Sequence, residues 1–149
     1  MKKSIFILVF CFLLHLAHAQ NKDSIWVVNN YTKIERQIPM RDGVRLFTTI
    51  YIPKDTTEKH PFLMTRTPYS CSPYGENKFA SFWRSYTMSY LKEGYIRVIQ
   101  DVRGTFMSEG EYADIRPFII DKKDPKDIDE ASDSYDTVDW LIKNIPNNN

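Results

Sequence analysis

The chain has 149 residues, with 20 lysines and arginines against 19 aspartates and glutamates, for a formal charge of +1. No polybasic surface follows from that balance, which argues against a nucleic-acid partner or an anionic-membrane partner. Cys11 and Cys71 are the two cysteines, and the first leaves with the leader described next, so export comes without an internal disulfide framework.

Lys2 and Lys3, the apolar run Ile5 to Leu14 and the small-residue site Ala17-His18-Ala19 have the order of a secretory signal peptide. Residues 1–19 are expected to be removed, leaving residues 20–149 secreted or periplasmic, enough for one modest core. A retained anchor is the rival reading. The apolar run is short for a bilayer, though, and no later stretch is long enough to span one, so no membrane contact is expected after cleavage.

Trp26-Val27-Val28 and Tyr31 to Ile38 read as one or two short edge strands around a turn at Asn29-Asn30. Asn30-Tyr31-Thr32 is formally a glycosylation acceptor. Asp42-Gly43 signals a hairpin turn, and the following run, Arg45 to Ile52, is β-branched and aromatic until Pro53 stops it. Lys54 to His60 is a polar loop, and His60 is expected to be solvent-exposed, at the end of the next strand away from any site.

The stretch from Pro61 to Tyr69 organises the rest of the chain. It begins as an apolar run short enough for a buried strand and ends in a Pro68-containing turn. After a loop from Ser70 to Asn77, Phe79, Phe82, Trp83, Tyr86, Tyr90 and Leu91 recur at helical steps, with Gly94 placed as a C-terminal cap. The stripe could be a ligand box, but a helix packed on a sheet needs such a stripe for its core. Tyr95 to Val102 is the next strand, running into Asp101-Val102-Arg103-Gly104. Strand, helix and strand at this spacing make a βαβ unit and so a parallel sheet. Binding and chemistry gather at the carboxyl ends of such strands, where Arg66, Pro68, Tyr69, Asp101 and Arg103 fall.

Ser108 to Tyr112 reads as an exposed loop, and the acidic run Asp121 to Asp136 lacks the spacing and central glycine of an EF-hand. Asp129, Glu130 and Asp133 instead suit the start of a helix, running from Ala131 to Asn144 with Tyr135, Val138, Leu141 and Ile142 buried and Pro146 ending it. The fold class is therefore α/β, with antiparallel first strands and then parallel βαβα. The last helix points toward a further parallel strand, so the chain is expected to be an incomplete portion of such a domain.

The five glycines form no Gly-x-Ser-x-Gly turn, and there is no phosphate loop, Cys-x-x-Cys or His-x-x-x-His pair. No nucleophile, base or metal ligand can be assigned, and neither metal nor cofactor is expected. Cys71 could be a reactive thiol, but His60 is the sole histidine after residue 19, so a small turn-side residue is the better reading. Arg66 and Asp101 are expected to form an ion pair bracing the site, with Arg103 and Glu109 as further candidates. Tyr69 lies where sheets of this kind present an oxyanion-hole donor, in the loop between the third strand and the first helix. A phenol can donate there without carrying charge. The alternative is an ordinary Pro-Tyr turn.

Three segments carry a resemblance: Thr65-Arg66-Thr67-Pro68-Tyr69, Gln100-Asp101-Val102-Arg103-Gly104 with Ser108-Glu109-Gly110, and Ser134 to Leu141. In this order, behind Pro39-Met40-Arg41-Asp42-Gly43-Val44, the chain resembles the Xaa-Pro dipeptidyl-peptidase, cocaine-esterase and α-amino-acid ester hydrolase family of serine hydrolases, the last branch most. The resemblance implies residues 20–149 to be the N-terminal portion of an α/β-hydrolase domain, ending before the nucleophile elbow. It implies acyl transfer from small ester or peptide substrates by a Ser-His-Asp triad without a cofactor, with Tyr69 at the position of the oxyanion-hole tyrosine. The triad has no counterparts among these residues, so the chain alone is expected to be inactive. The competing expectation is a secreted, non-catalytic binding domain that keeps the scaffold.

Overall fold

The computed structural model describes residues 22–149 apart from 82 and 125. The expected signal peptide and the place of Phe82 in the aromatic stripe lie outside the described residues. Among those described, no helix is long and apolar enough to cross a membrane.

Four strands form one mixed sheet: β1 (Tyr31–Pro39), β2 (Arg45–Pro53), β3 (Phe62–Thr67) and β4 (Ile96–Asp101), in the order β1-β2-β4-β3. β1 and β2 pair antiparallel from Tyr31↔Pro53 to Pro39↔Arg45, closed by the Asp42-Gly43 turn as expected. β2 pairs antiparallel with β4, and β4 runs parallel to β3 from Phe62↔Ile96 to Thr67↔Asp101. Among the described residues, three helices cover the sheet: α1 (22–30), α2 (Ser85–Lys92) and α3 (Glu130–Asn144).

Each face of the sheet has its own core. On one, Ile38, Leu46, Ile50, Ile96 and Val98 meet Leu141 and Ile145 from α3 and its end. On the other, Tyr31 and Tyr51 meet Val27 of α1, Trp83, and Met88 and Leu91 of α2. The apolar stretch of α1 is thus helical where an edge strand was expected. Packing decides it: Val27 is fully buried against the sheet, and Ser24 Oγ donates to Ala80 O at 2.7 Å.

Other expectations change for similar reasons. β3 is half-buried rather than buried, because it lies at the outer edge of the described sheet. α2 begins at Ser85, not Phe79; Phe79 and Trp83 reach Tyr51 from the preceding loop, at ring-centroid distances of 5.8 and 5.2 Å. The helix buries Thr87, Met88 and Leu91, while Tyr86 and Tyr90 of the expected stripe are exposed. Gly94 does cap it, at φ +79°, with Gly94 N–H on Leu91 O and Tyr95 N–H on Tyr90 O, both at 3.1 Å, in a Schellman arrangement.

α3 is rotated from its expected face. Ser132, Asp133, Thr137 and Leu141 point inward, and Tyr135, Val138 and Ile142 are exposed. The surface beneath its first half is polar, made by Arg66, Gln100 and Arg103, so small and acidic side chains make the contact there. Asp129 caps the helix in a reciprocal box with Ser132, its carboxylate accepting from Ser132 N–H at 2.7 Å and Ser132 Oγ accepting from Asp129 N–H at 2.8 Å.

Candidate active site

Parallel pairing of β3 and β4 brings their carboxyl ends side by side, and Val102 N–H continues the ladder to Thr67 O at 3.1 Å. Tyr69 follows two residues beyond β3. Pro68 restricts the backbone before it, and Tyr69 N–H donates to Thr67 Oγ1 at 3.0 Å. Tyr69 is 87% exposed at this rim.

The next residues turn back over the sheet through Ser70 at φ +81° and are held by Asp101. Asp101 is fully buried at the end of β4. It accepts Cys71 N–H at 2.7 Å, the Tyr74 hydroxyl at 3.0 Å and Met107 N–H at 3.4 Å. Burial and the Asp101 carboxylate push the Tyr74 phenol up to about 12. The backbone carbonyl of Asp101 accepts from Ser108 Oγ at 2.6 Å, and Ser108 in turn accepts Phe47 N–H at 2.8 Å. Asp101 therefore ties both rim loops to the sheet.

The expected Arg66–Asp101 ion pair is not formed. Arg66 projects to the α3 face, where it pairs with Glu130 and with Asp133 at 3.3 Å and donates to Gln100 Oε1 at 2.9 Å. Asp101 is satisfied by neutral donors on the other side. Arg103 lies between two carboxylates, with Asp133 at 2.7 Å and Asp42 at 2.8 Å. Burial works against its charge, but the two carboxylates outweigh that and raise its pKa. Gln100 extends the network to Thr48 of β2 and Thr137 of α3, at 3.0 and 2.9 Å. Glu109 pairs with exposed Arg45 at 2.6 Å.

Sequence reasoning gave Asp133 a helix-start role, Asp42 a turn role and Gln100 a place in a motif, but put none of them in the network. Arginines at two strand ends were a signal that buried acids should face them, since buried guanidinium groups are paired.

His60 is buried, at 2% exposure, where an exposed loop residue was expected. Its ring packs against Gly94, its Nε2 lies 3.0 Å from Asp55 O, and its backbone N–H donates to Asn147 O at 2.7 Å. It is at the amino end of β3, beside a cleft of about 350 Å³ that also takes in Trp26, Tyr31 and Lys92. That cleft is on the rim opposite Tyr69 and brings no nucleophile and base together. Cys71 is buried too, and burial pushes its thiol up to about 12, so it is held as the unreactive thiol.

Residues 42–149 match the family model for X-Pro dipeptidyl-peptidase (S15 family). Cocaine esterase from Rhodococcus sp. (strain MB1 Bresler) is 36% identical over 110 residues, covering 71% of this chain and 16% of the esterase. A solved α-amino acid ester hydrolase aligns with a TM-score of 0.67 at 41% identity, over 80% of this chain and 20% of that one. An aminopeptidase from the marine-sediment archaeon Thaumarchaeota archaeon aligns with the same TM-score at 40% identity and the same coverage. The four-stranded mixed sheet and its helices are thus the N-terminal part of an α/β-hydrolase fold, and the chain spans about a fifth of these solved relatives.

Proposed function

The chain belongs to the X-Pro dipeptidyl-peptidase (S15) family of hydrolases, and from that premise we propose that it is the N-terminal portion, residues 20–149, of an exported serine hydrolase acting on small ester or amide substrates. Tyr69 donates its hydroxyl to the oxyanion of the tetrahedral intermediate. The observation that carries this reading is the phenol's exposure at the carboxyl ends of two parallel strands, on a backbone fixed by Pro68 and Thr67. Arg66 and Arg103 support the site by pinning α3 to the strand ends, and Asp101 supports it by holding both rim loops. The nucleophile and its base lie outside these residues, so the chain alone turns over no ester or amide.

A donor aimed at a developing oxyanion stabilises the transition state more than the ground state, typically by about 2.7–4 kcal/mol. In the complete hydrolase, Tyr69→Phe is expected to lower kcat by roughly 10²–10³ with little change in KM. Wild-type turnover in that variant would remove Tyr69 from the reaction. Turnover by the purified 149-residue chain, abolished by a serine-directed inhibitor, would overturn the assignment of the nucleophile.

A further inference from the structure

A buried lysine on the first strand has no role in the site as described so far. Lys33 is 3% exposed, near the start of β1 opposite Tyr51, although a lysine on an outer strand ordinarily extends its ammonium to water. Its Nζ is instead surrounded by four acceptors that share its three N–H groups: the backbone carbonyls of Pro73, Gly75 and Lys78, the last two at 3.0 Å, and Glu35 Oε1 at 2.8 Å. Glu35 Oε1 also accepts Gly75 N–H at 2.7 Å. One ammonium and one carboxylate thus gather a loop without regular structure onto the edge of the sheet.

That loop is the continuation of the Tyr69 turn. Its near end is held by Asp101 through Cys71 and Tyr74, and its far end by Lys33. Among the described residues Tyr69 is highly exposed, so within them its direction depends on the backbone on either side. Thr67 and Pro68 fix one side, and the loop fixes the other. We infer that Lys33 is a positioning residue for Tyr69, locking the loop over residues 70–78 so that the phenol is presented at the strand ends. This inference rests on the oxyanion reading of Tyr69.

Cys71 reports on the loop directly. In the 149-residue chain carrying Cys11→Ser it is the single thiol, and its maleimide labelling is followed in wild type, Lys33→Met, Lys33→Arg and the pair Lys33→Met with Glu35→Gln. The pair avoids stranding a partly buried carboxylate, which keeps the test usable if Lys33→Met does not fold. Labelling is expected to rise about tenfold or more in the methionine variants, as loss of a charge-assisted hydrogen bond implies, and to return toward wild type with arginine. The increase should be insensitive to dilute urea, because local opening exposes little surface. Unchanged labelling, or an increase that follows global unfolding, overturns the inference.

The complete hydrolase supplies the second arm. Lys33→Met is expected to lower kcat about tenfold with KM nearly constant, and to cause no further loss in a Tyr69→Phe background. Additive losses would overturn the positioning role while leaving the Tyr69 reading intact. Wild-type turnover in Tyr69→Phe would remove that reading itself.

Discussion

Arg103 and Asp133 face each other through two N–H···O bonds, 3.1 Å from Nε and 2.7 Å from the terminal nitrogen, with 3% and 1% of their side chains exposed. The same guanidinium makes a second two-pronged contact with Asp42, at 2.8 and 3.2 Å. One arginine at the end of β4 therefore joins the β1–β2 turn to the first turn of α3. Two cations, Arg66 and Arg103, share the carboxylates of Asp133, Asp42 and Glu130. The α3 layer is thereby fixed relative to the rim that carries Tyr69.

Removing one member of this network leaves buried charge without a partner. Such losses cost about 3–5 kcal/mol, more than the pair itself contributes. Arg103→Met is expected to lower the urea unfolding free energy by that amount. Arg45→Met, which breaks an exposed pair with Glu109, should cost less than about 1 kcal/mol. Equal losses in the two variants would show that burial does not decide the strength of these contacts.

The cap of α3 predicts acid sensitivity. Burial opposes ionisation of Asp129, but Lys122 and the N–H groups of Ile119 and Ser132 outweigh it and hold its pKa below the ordinary 3.8. A carboxyl whose pKa is depressed on folding stabilises the native state above its unfolded pKa, and that contribution fades as pH falls through the folded one. Stability should therefore be flat across the approach to pH 4 and drop below it, and Asp129→Asn should flatten the drop. An unchanged acid limb in Asp129→Asn would exclude this carboxylate as its source.

Cys71 predicts the opposite limb. Burial raises its thiol from 9.0 to about 12, partly offset by the Thr49 hydroxyl donating to Sγ at 3.6 Å. A folded pKa above the unfolded one gives stability that is complete below about pH 9 and is lost as pH rises toward 12. Between those values wild type should lose stability faster than Cys71→Ala, each compared with its own stability at pH 7. Parallel alkaline curves would mean that the thiol ionises as readily in the fold as in the open chain.

The strands and their order along the chain were legible because each carries a local signal: Asp42-Gly43 for the hairpin, Pro53 for its end, and the runs from Pro61 and Tyr95 for the parallel pair. Gly94 was legible as a cap for the same reason. Helix faces were not. Tyr135, Val138 and Ile142 have helical spacing, but the sheet offers α3 Arg66, Gln100 and Arg103, so Asp133 and Thr137 turn inward. Periodicity records apolar residues and says nothing of a polar surface opposite them. His60 and Lys33 were hidden likewise: each is buried by groups distant in sequence, Asn147 for one and Pro73 to Lys78 for the other. At the candidate site, the motif positions of Arg66, Asp101 and Arg103 were readable, but the partners of each depend on which face of the sheet it uses.

The glycine after Arg103 tests how tightly the rim is built. Gly104 has φ +74°, and an added Cβ would lie 2.0 Å from Tyr112 N and 2.3 Å from Glu111 C, both backbone atoms that cannot swing away. Gly43, in the hairpin turn, has φ +87° with nothing within 4 Å of the same position. Gly43→Ala therefore meets only the left-handed backbone penalty, about 1–2 kcal/mol. Gly104→Ala meets that penalty plus displacement of the 109–112 segment, which carries the Glu109 O acceptor for Gly104 N–H at 2.9 Å. The expected loss is at least about 2 kcal/mol beyond that of Gly43→Ala in urea unfolding. Equal losses would mean that the segment gives way freely and that Gly104 serves its turn by conformation alone.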